Sequence, residues 1–482
     1  MMNILKPFHA VAVLALSALI SYPSSLHSRP ASCELDALQA RIDSVSAAGG
    51  GRVALERRED LLRGSLRLKS GVELHVPEGA VLRFSGEPDD FLPVVPTRWE
   101  GTELMGRSAM IYTNGQHDVS ITGGGIIDAN GGKMARWGMA PEATDDGKEV
   151  KGDGREVKDD GKETKDEGSA GWQEITHGTH GETIEMPDVR RLREMGSPTT
   201  GEPTPVEQRI FGQGTFLRPC AIEFYDCKNV HLEGFTLRNS PFWCIHPVYC
   251  DSVTVRGVTI DSHFPNNDGC DPESSSNVLI EDCLFRTGDD AVAIKSGRDA
   301  DGWRVGRPSE NITIRNCRFF SECNGLCIGS EMSGGVRNVR MENVEIGKVK
   351  NALLFKSNLD RGGYIRDVSV ENITIAGVHG AVLRFETNYF GYRGGNSPSQ
   401  YENFHISGVK AGKAEGYGIY YDGNKQCPIR NVTVEDFHVE SATHPYYLYN
   451  TQNCIFKGCT VGGVAVPEHP EESKERQSCD VW

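Results

Sequence analysis

The chain has 482 residues, 38% hydrophobic and only 8% aromatic, with 55 glycines and a formal net charge of −16 at pH 7. That length exceeds what one compact core usually accommodates, but a solenoid grows along one axis and can run this long as a single domain. The acidic balance excludes long-range attraction of a polyanion, so a negatively charged ligand would have to be held by local cations.

Residues 1–28 read as an export signal, with Lys6 as the positive start, an apolar run over 10–20 and small residues after it. The run is too short to cross a bilayer, so no membrane span and a secreted or periplasmic protein are expected. Ala31-Ser32-Cys33 faintly suggests a lipid-attachment site, but Pro30 and the distance from the apolar run weigh against anchoring at Cys33. Over 35–47 the pattern predicts a short amphipathic helix, stopped by Gly49-Gly50-Gly51, that would cap an open sheet end. Strand-like alternation follows over 64–84 and again over 112–130.

Between 142 and 171 the composition changes to Asp, Glu, Lys and Gly, with eleven acidic and six basic residues and no apolar periodicity. Such a run buries nothing and reads as a disordered surface insertion. The stretch 186–211 reads as an ordered loop near a groove, with a helical turn at 192–195.

From Lys228 onward the chain repeats. KNVHLEGFTL is followed by units starting at Asp251, Ser276, Glu310, Arg337, Arg366, Glu402 and Arg430. Each alternates apolar and polar residues with the strand period, breaks at a small or polar residue, and alternates again. One unit cannot bury its apolar face; stacked units share a continuous core, which predicts an all-β parallel β-helix over 34–466, with a tail at 467–482.

Within the repeat, 266–297 reads NNDGCDPESSSNVLIEDCLFRTGDDAVAIKSG. Asp268 and the Asp289-Asp290 pair are about twenty-one residues apart, close to one repeat. Equivalent positions of successive coils lie roughly 4.8 Å apart, so these aspartates should be vertical neighbours. Neighbouring strand residues point to opposite faces, so both members of the pair can face outward only if the backbone bends, which Gly288 would permit. Three converging carboxylates push at least one pKa upward. A glycosidase needs such an arrangement: one protonated carboxyl for the leaving oxygen and another that activates water. N-D-G and G-D-D are also ordinary turn chemistry, which leaves a purely structural role open.

N-N-D-G-x-D, G-D-D-x-V-A-I-K-S-G, the later Ile328-Gly329-Ser330 and the lysine of Leu354-Phe355-Lys356 together resemble glycoside hydrolase family 28, the bacterial-type polygalacturonases and their relatives. The resemblance runs from about 34 to 466. It implies a right-handed handedness for the β-helix and inverting hydrolysis of α-linked galacturonic acid in pectin. It also implies Asp289 as general acid, Asp268 and Asp290 as holders of the attacking water, and Lys356 and Tyr389 as substrate contacts. Two positions depart from the family pattern: Asn324 stands in Cys-Asn-Gly where many members have G-H-G, and Leu354 replaces the arginine of R-I-K. An amide does not titrate near neutrality, and losing an arginine removes a carboxylate clamp. These departures point to an exo-acting or rhamnogalacturonan-directed enzyme.

Lys295, Arg298, Arg304, Arg307, Lys356 and Arg361 are the candidate cations for a pectic carboxylate, and Asn324 is a further candidate contact. Taken singly, Arg298, Arg304 and Arg307 read as surface charge. Two other classes fit a β-helix: a calcium-dependent pectate-lyase-like eliminase and a non-catalytic carbohydrate-binding solenoid. No phosphate loop, nucleotide fingerprint or paired C-x-x-C is present, so neither cofactor, metal nor nucleic acid is expected, and the chain should act as a monomer. The 14 cysteines read as buried thiols stacked in the coils, with a bridge between neighbours left open. The sequons at Asn311, Asn372 and Asn431 fall at coil turns, where asparagine has a structural reason to be.

Overall fold

The structure, a computed structural model, describes residues 33–137 and 186–476. The expected export signal, the charged insertion and the last residues of the tail lie outside them. Among the described residues no helix is long and apolar enough to cross a membrane.

The helix Cys33–Ala47 buries Leu35, Leu38 and Ile42 against the first coil. Its Gln39 does the work of a neighbouring strand: Oε1 accepts from the Arg67 N–H and Nε2 donates to the Arg67 carbonyl, both at 2.9 Å. The exposed sheet edge is thus closed by a side-chain amide where the chain has no further coil to offer.

From there the protein is a right-handed parallel β-helix. The repeat seen in the sequence is the register itself, because Lys228, Asp251, Ser276, Glu310, Arg337, Arg366, Glu402 and Arg430 pair in succession, each with the next. Two residues on, the inward column Val230, Val253, Val278, Ile312, Val339, Val368, Phe404 and Val432 is buried throughout. Branched side chains at each level meet their equivalents one coil away, which makes a core out of units that have none alone.

The polar residue at each corner has a conformational reason to be there. Asn277, Asn311 and Asn338 have φ of +57°, +57° and +55°, the left-handed region that asparagine tolerates better than most residues. Their amides also bond from coil to coil, Asn338 to Asn311 at 2.6 Å and Asn311 to Asn277 at 3.0 Å. A second corner repeats the device, with Asn372 donating to Asn343 at 2.7 Å. The sequon asparagines Asn311, Asn372 and Asn431 are all rungs of these ladders.

A second layer is packed on the outside of the early and middle coils. An antiparallel hairpin, Val95–Trp99 with Thr102–Gly106, is joined by Ile210–Phe211. The helix in the 186–211 segment is longer than the turn expected at 192–195: it spans Pro187–Gly196, because Val189 and Leu192 extend its apolar stripe onto Leu104 and Phe211. The described cysteines all carry free thiols, buried except for exposed Cys33 and half-buried Cys427 and Cys454.

Candidate active site

Trp243, Asp268, Asp290, Asn324 and Asn351 form one column across five successive coils. The Cys244 N–H donates to the Asp268 carbonyl at 2.8 Å, Gly269 to Asp290 at 2.9 Å and Ala291 to Asn324 at 2.9 Å, while Asn324 pairs with Asn351. Asp268 therefore lies opposite Asp290, one coil away, as expected. Asp289 also lines the pocket. Its carbonyl is held by the hydroxyls of Thr287 at 2.7 Å and Ser321 at 2.5 Å, and its Oδ1 accepts from the Asp290 N–H at 2.9 Å. The chain bends at Gly288 and Asp289, as expected, and the glycine has a second reason to be there: a Cβ would lie 2.4 Å from the Phe264 carbonyl oxygen. Close approach of two backbones excludes a side chain.

The adjacent aspartates are driven in opposite directions. Burial pushes the Asp289 carboxyl well above the usual range, and the charges of Asp268 and Asp290 add to that. Burial acts on Asp290 as well, but Lys356, Lys295 and the Asn324 amide outweigh it and hold the carboxyl below its ordinary value. Lys356 Nζ is 3.6 Å from Asp290 Oδ2, and Asn324 donates to Oδ1 at 2.5 Å. Asp268 is pushed up to about 6 by burial, with Lys295 opposing and Asp290 reinforcing the shift. A proton donor thus sits beside an ionised carboxylate, the division that acid-base cleavage of a glycoside requires. Oxygens of Asp289 and Asp290 approach within 4.8 Å.

Three of the six candidate cations line the pocket: Lys295, Arg298 and Lys356. Lys295 Nζ lies 3.4 Å from Asp268, 3.7 Å from Asp271 and 3.6 Å from Glu331, and 4.4 Å from the centre of the Trp243 ring. Lys356 meets the Tyr389 hydroxyl at 3.4 Å. Arg298, read from sequence as surface charge, is buried between Glu100 at 3.1 Å and Glu331 at 3.5 Å. The hairpin folds over it, which a linear reading could not show.

The remaining candidates stand elsewhere. Arg361 is not among the lining residues; it is buried behind the pocket, bonded to Asp299 at 2.5 Å and to the Ser330 carbonyl at 3.0 Å. Arg304 binds Glu103 and Asp301, and Arg307 lies 3.9 Å from Asp226. Asn324 does not line the pocket either: it braces Asp290 and in turn accepts from Asn351 at 2.8 Å. Leu354 packs with Ala293 and Cys327 in a small apolar cluster.

Sequence reasoning missed Glu100, Trp243, Glu331 and Phe390, all of which line the pocket. Trp243 had a signal, since counting one coil back from Asp268 leads to it. Glu331 directly follows Ile328-Gly329-Ser330 and was also within reach. Glu100 sits at a hairpin tip outside the repeat, where no periodicity points.

The family model for glycosyl hydrolases family 28 matches residues 212–458. A solved exopolygalacturonase from Thermotoga maritima is 34% identical, with 88% of each chain covered and a TM-score of 0.71. A polygalacturonase from Ralstonia solanacearum is 25% identical over 92% of this chain and 78% of its own. A probable polygalacturonase from Vitis vinifera is 37% identical over 158 residues, 32% of each chain, and an Arabidopsis thaliana relative is matched over 49% of its length. The chain thus spans between a third and a half of those two plant relatives. With the stacked aspartates inside the matched region, this chain belongs to glycosyl hydrolases family 28.

Proposed function

We propose that the protein hydrolyses α-linked galacturonic acid at one end of pectic chains, with inversion. The observation that carries the reading is the gathering of Asp268, Asp289 and Asp290 in one pocket, with Lys356 and the Asn324 amide placed on Asp290. Asp289 gives its proton to the glycosidic oxygen, while Asp290, with Asp268, takes a proton from the water that attacks the anomeric carbon. Lys356 and Arg298 receive the uronate carboxylate, and the Tyr389 hydroxyl stands beside Lys356 in the same pocket.

End-on action is supported by the pocket's walls: the Glu100 hairpin tip stands on one side and Tyr389-Phe390 on another. It is supported also by the likeness to an exopolygalacturonase. Export by residues 1–28 would bring the enzyme to a polymeric substrate.

The test is a time course on a homogalacturonan of defined length, followed by product sizing and proton NMR. Release of galacturonic acid from the first minutes, as the β-anomer, is expected. A ladder of mid-length oligomers would remove end-on action. A first-formed α-anomer would remove inversion.

A further inference from the structure

Behind the catalytic column lies a second cluster that the reaction above does not use. Cys220, Glu223 and His246 are all buried, and one ligand-type atom from each lies within 4.8 Å of the other two. Glu223 and His246 are register partners on adjacent coils, and Cys220 precedes the strand that carries Glu223. Cys220 Sγ is 3.5 Å from His246 Nδ1, and Glu223 Oε2 is 3.2 Å from the same nitrogen. We propose that Cys220, Glu223 and His246 form a structural Zn2+ site.

The distances are those of a coordination shell. Zn–S near 2.3 Å, Zn–N near 2.05 Å and Zn–O near 2.0 Å, placed at tetrahedral angles, give edges of about 3.6 Å between S and N and about 3.3 Å between N and O. The two edges that meet at His246 Nδ1, 3.5 Å and 3.2 Å, are thus close to those of a zinc shell. Glu223 Oε1 is buried and without a hydrogen-bond partner among the described residues, an acceptor that a cation beside this carboxylate would satisfy.

The surroundings hold the ligands as a metal site does. His246 Nε2 lies 2.9 Å from Glu273 Oε2, the carboxylate–histidine arrangement that fixes the ring with Nδ1 facing the metal. Thr97 donates to Glu223 Oε2 at 2.7 Å, and Glu273 is anchored through Oε1 by the Gly297 N–H at 3.1 Å and by Arg98 at 3.5 Å. Thiolate, imidazole and carboxylate together favour zinc over the hard cations calcium and magnesium. Ligation would release the Cys220 thiol proton and any proton on His246 Nδ1, since both atoms bind a metal only when deprotonated.

The site would stiffen the wall of the catalytic pocket. Trp243 packs edge-on to His246 with ring centroids 4.9 Å apart, and Lys295 Nζ lies 4.4 Å from the centre of that same ring. Its role is structural, since none of its ligands lines the pocket.

The experiment refolds the full chain with equimolar ZnCl2 or with a chelator, then measures metal by mass spectrometry, melting temperature, and zinc X-ray absorption. About one Zn2+ per chain, a raised melting temperature and a shell of one sulfur with nitrogen and oxygen are expected. Cys220→Ser should remove the sulfur from the shell and most of the metal. Cys323→Ser, which alters the thiol beside Asp289 and Asp290, should leave the uptake unchanged. Wild-type protein that folds and holds only traces of zinc would overturn the proposal whatever the variants do. So would a stoichiometric zinc lost in Cys323→Ser and kept in Cys220→Ser.

Discussion

Asp289 and Asp290 are neighbours in the chain and differ in how far their surroundings offset burial. Lys356, Lys295 and the Asn324 amide outweigh it at Asp290, while at Asp289 burial and two like charges prevail over Lys356. Replacing Asp289 with Asn should cut turnover on natural substrates by about 10²–10⁴-fold, and much less on an aryl glycoside whose leaving group needs no proton. Comparing the two substrates checks the role. The same variant should be more stable than wild type at neutral pH. A carboxyl whose folded pKa is raised contributes stability below its unfolded pKa, near 3.9, and loses it as pH rises toward the folded value. Asn does not titrate, so the variant's advantage should grow with pH by at most about 1.4 kcal/mol per unit, as read by denaturant melts from pH 4 upward. Lys356→Met tests the partner. Losing that charge raises the pKa of Asp290, so the acid limb of kcat/KM should move to higher pH, whereas loss of a substrate contact alone would raise KM and leave the limb in place. The aspartates were legible in the sequence because they sit on the repeat. The purpose of Asn324 was not, since an amide seen in line gives no hint that it braces a carboxylate on the next coil.

At the level of single coils, the corner asparagines tie sequence to fold most directly. Asn343 has φ +54°, donates to Asn316 at 3.5 Å and accepts from Asn372 at 2.7 Å. Alanine at this corner would have to hold a left-handed conformation, at roughly 1–2 kcal/mol, and would lose both rungs. Glycine accepts the conformation and loses only the rungs. Asn343→Ala should therefore lower the denaturant midpoint more than Asn343→Gly, although alanine is ordinarily the better-tolerated replacement. Equal losses would mean that the ladder, rather than the backbone, sets the cost. These corners explain why the coils could be phased by eye: a polar residue that must turn left precedes an alternating strand, and both signals repeat together. The helix Pro187–Gly196 and the hairpin around Glu100 escaped that reading because they pack against coils distant in sequence and share none of their period.

Over the whole molecule, a net charge of −16 leaves the anionic substrate proposed above to be met locally, by Lys295, Arg298 and Lys356 gathered in one pocket. What encloses it is long-range. Arg393, from the loop that follows Tyr389 and Phe390, donates to the Ser197 carbonyl at 2.6 Å and pairs with Glu194 at 2.7 Å, at the end of the outer helix. The Glu194 partner is about half exposed, so the ion pair itself is worth little, and the bond to the backbone carbonyl is the firmer tie. Together they pin a late loop to an early insertion and hold the pocket's far wall. Arg393→Ala should loosen that wall without touching the aspartates. A loss of about 1 kcal/mol in holding the sugar would raise KM roughly fivefold and leave kcat nearly unchanged. If the wall also decides where chains are cut, the variant should begin to release oligomers from within long homogalacturonan, detectable as an early fall in viscosity. Unchanged KM and unchanged products would show that the Arg393 bridge braces the fold and takes no part in closing the site.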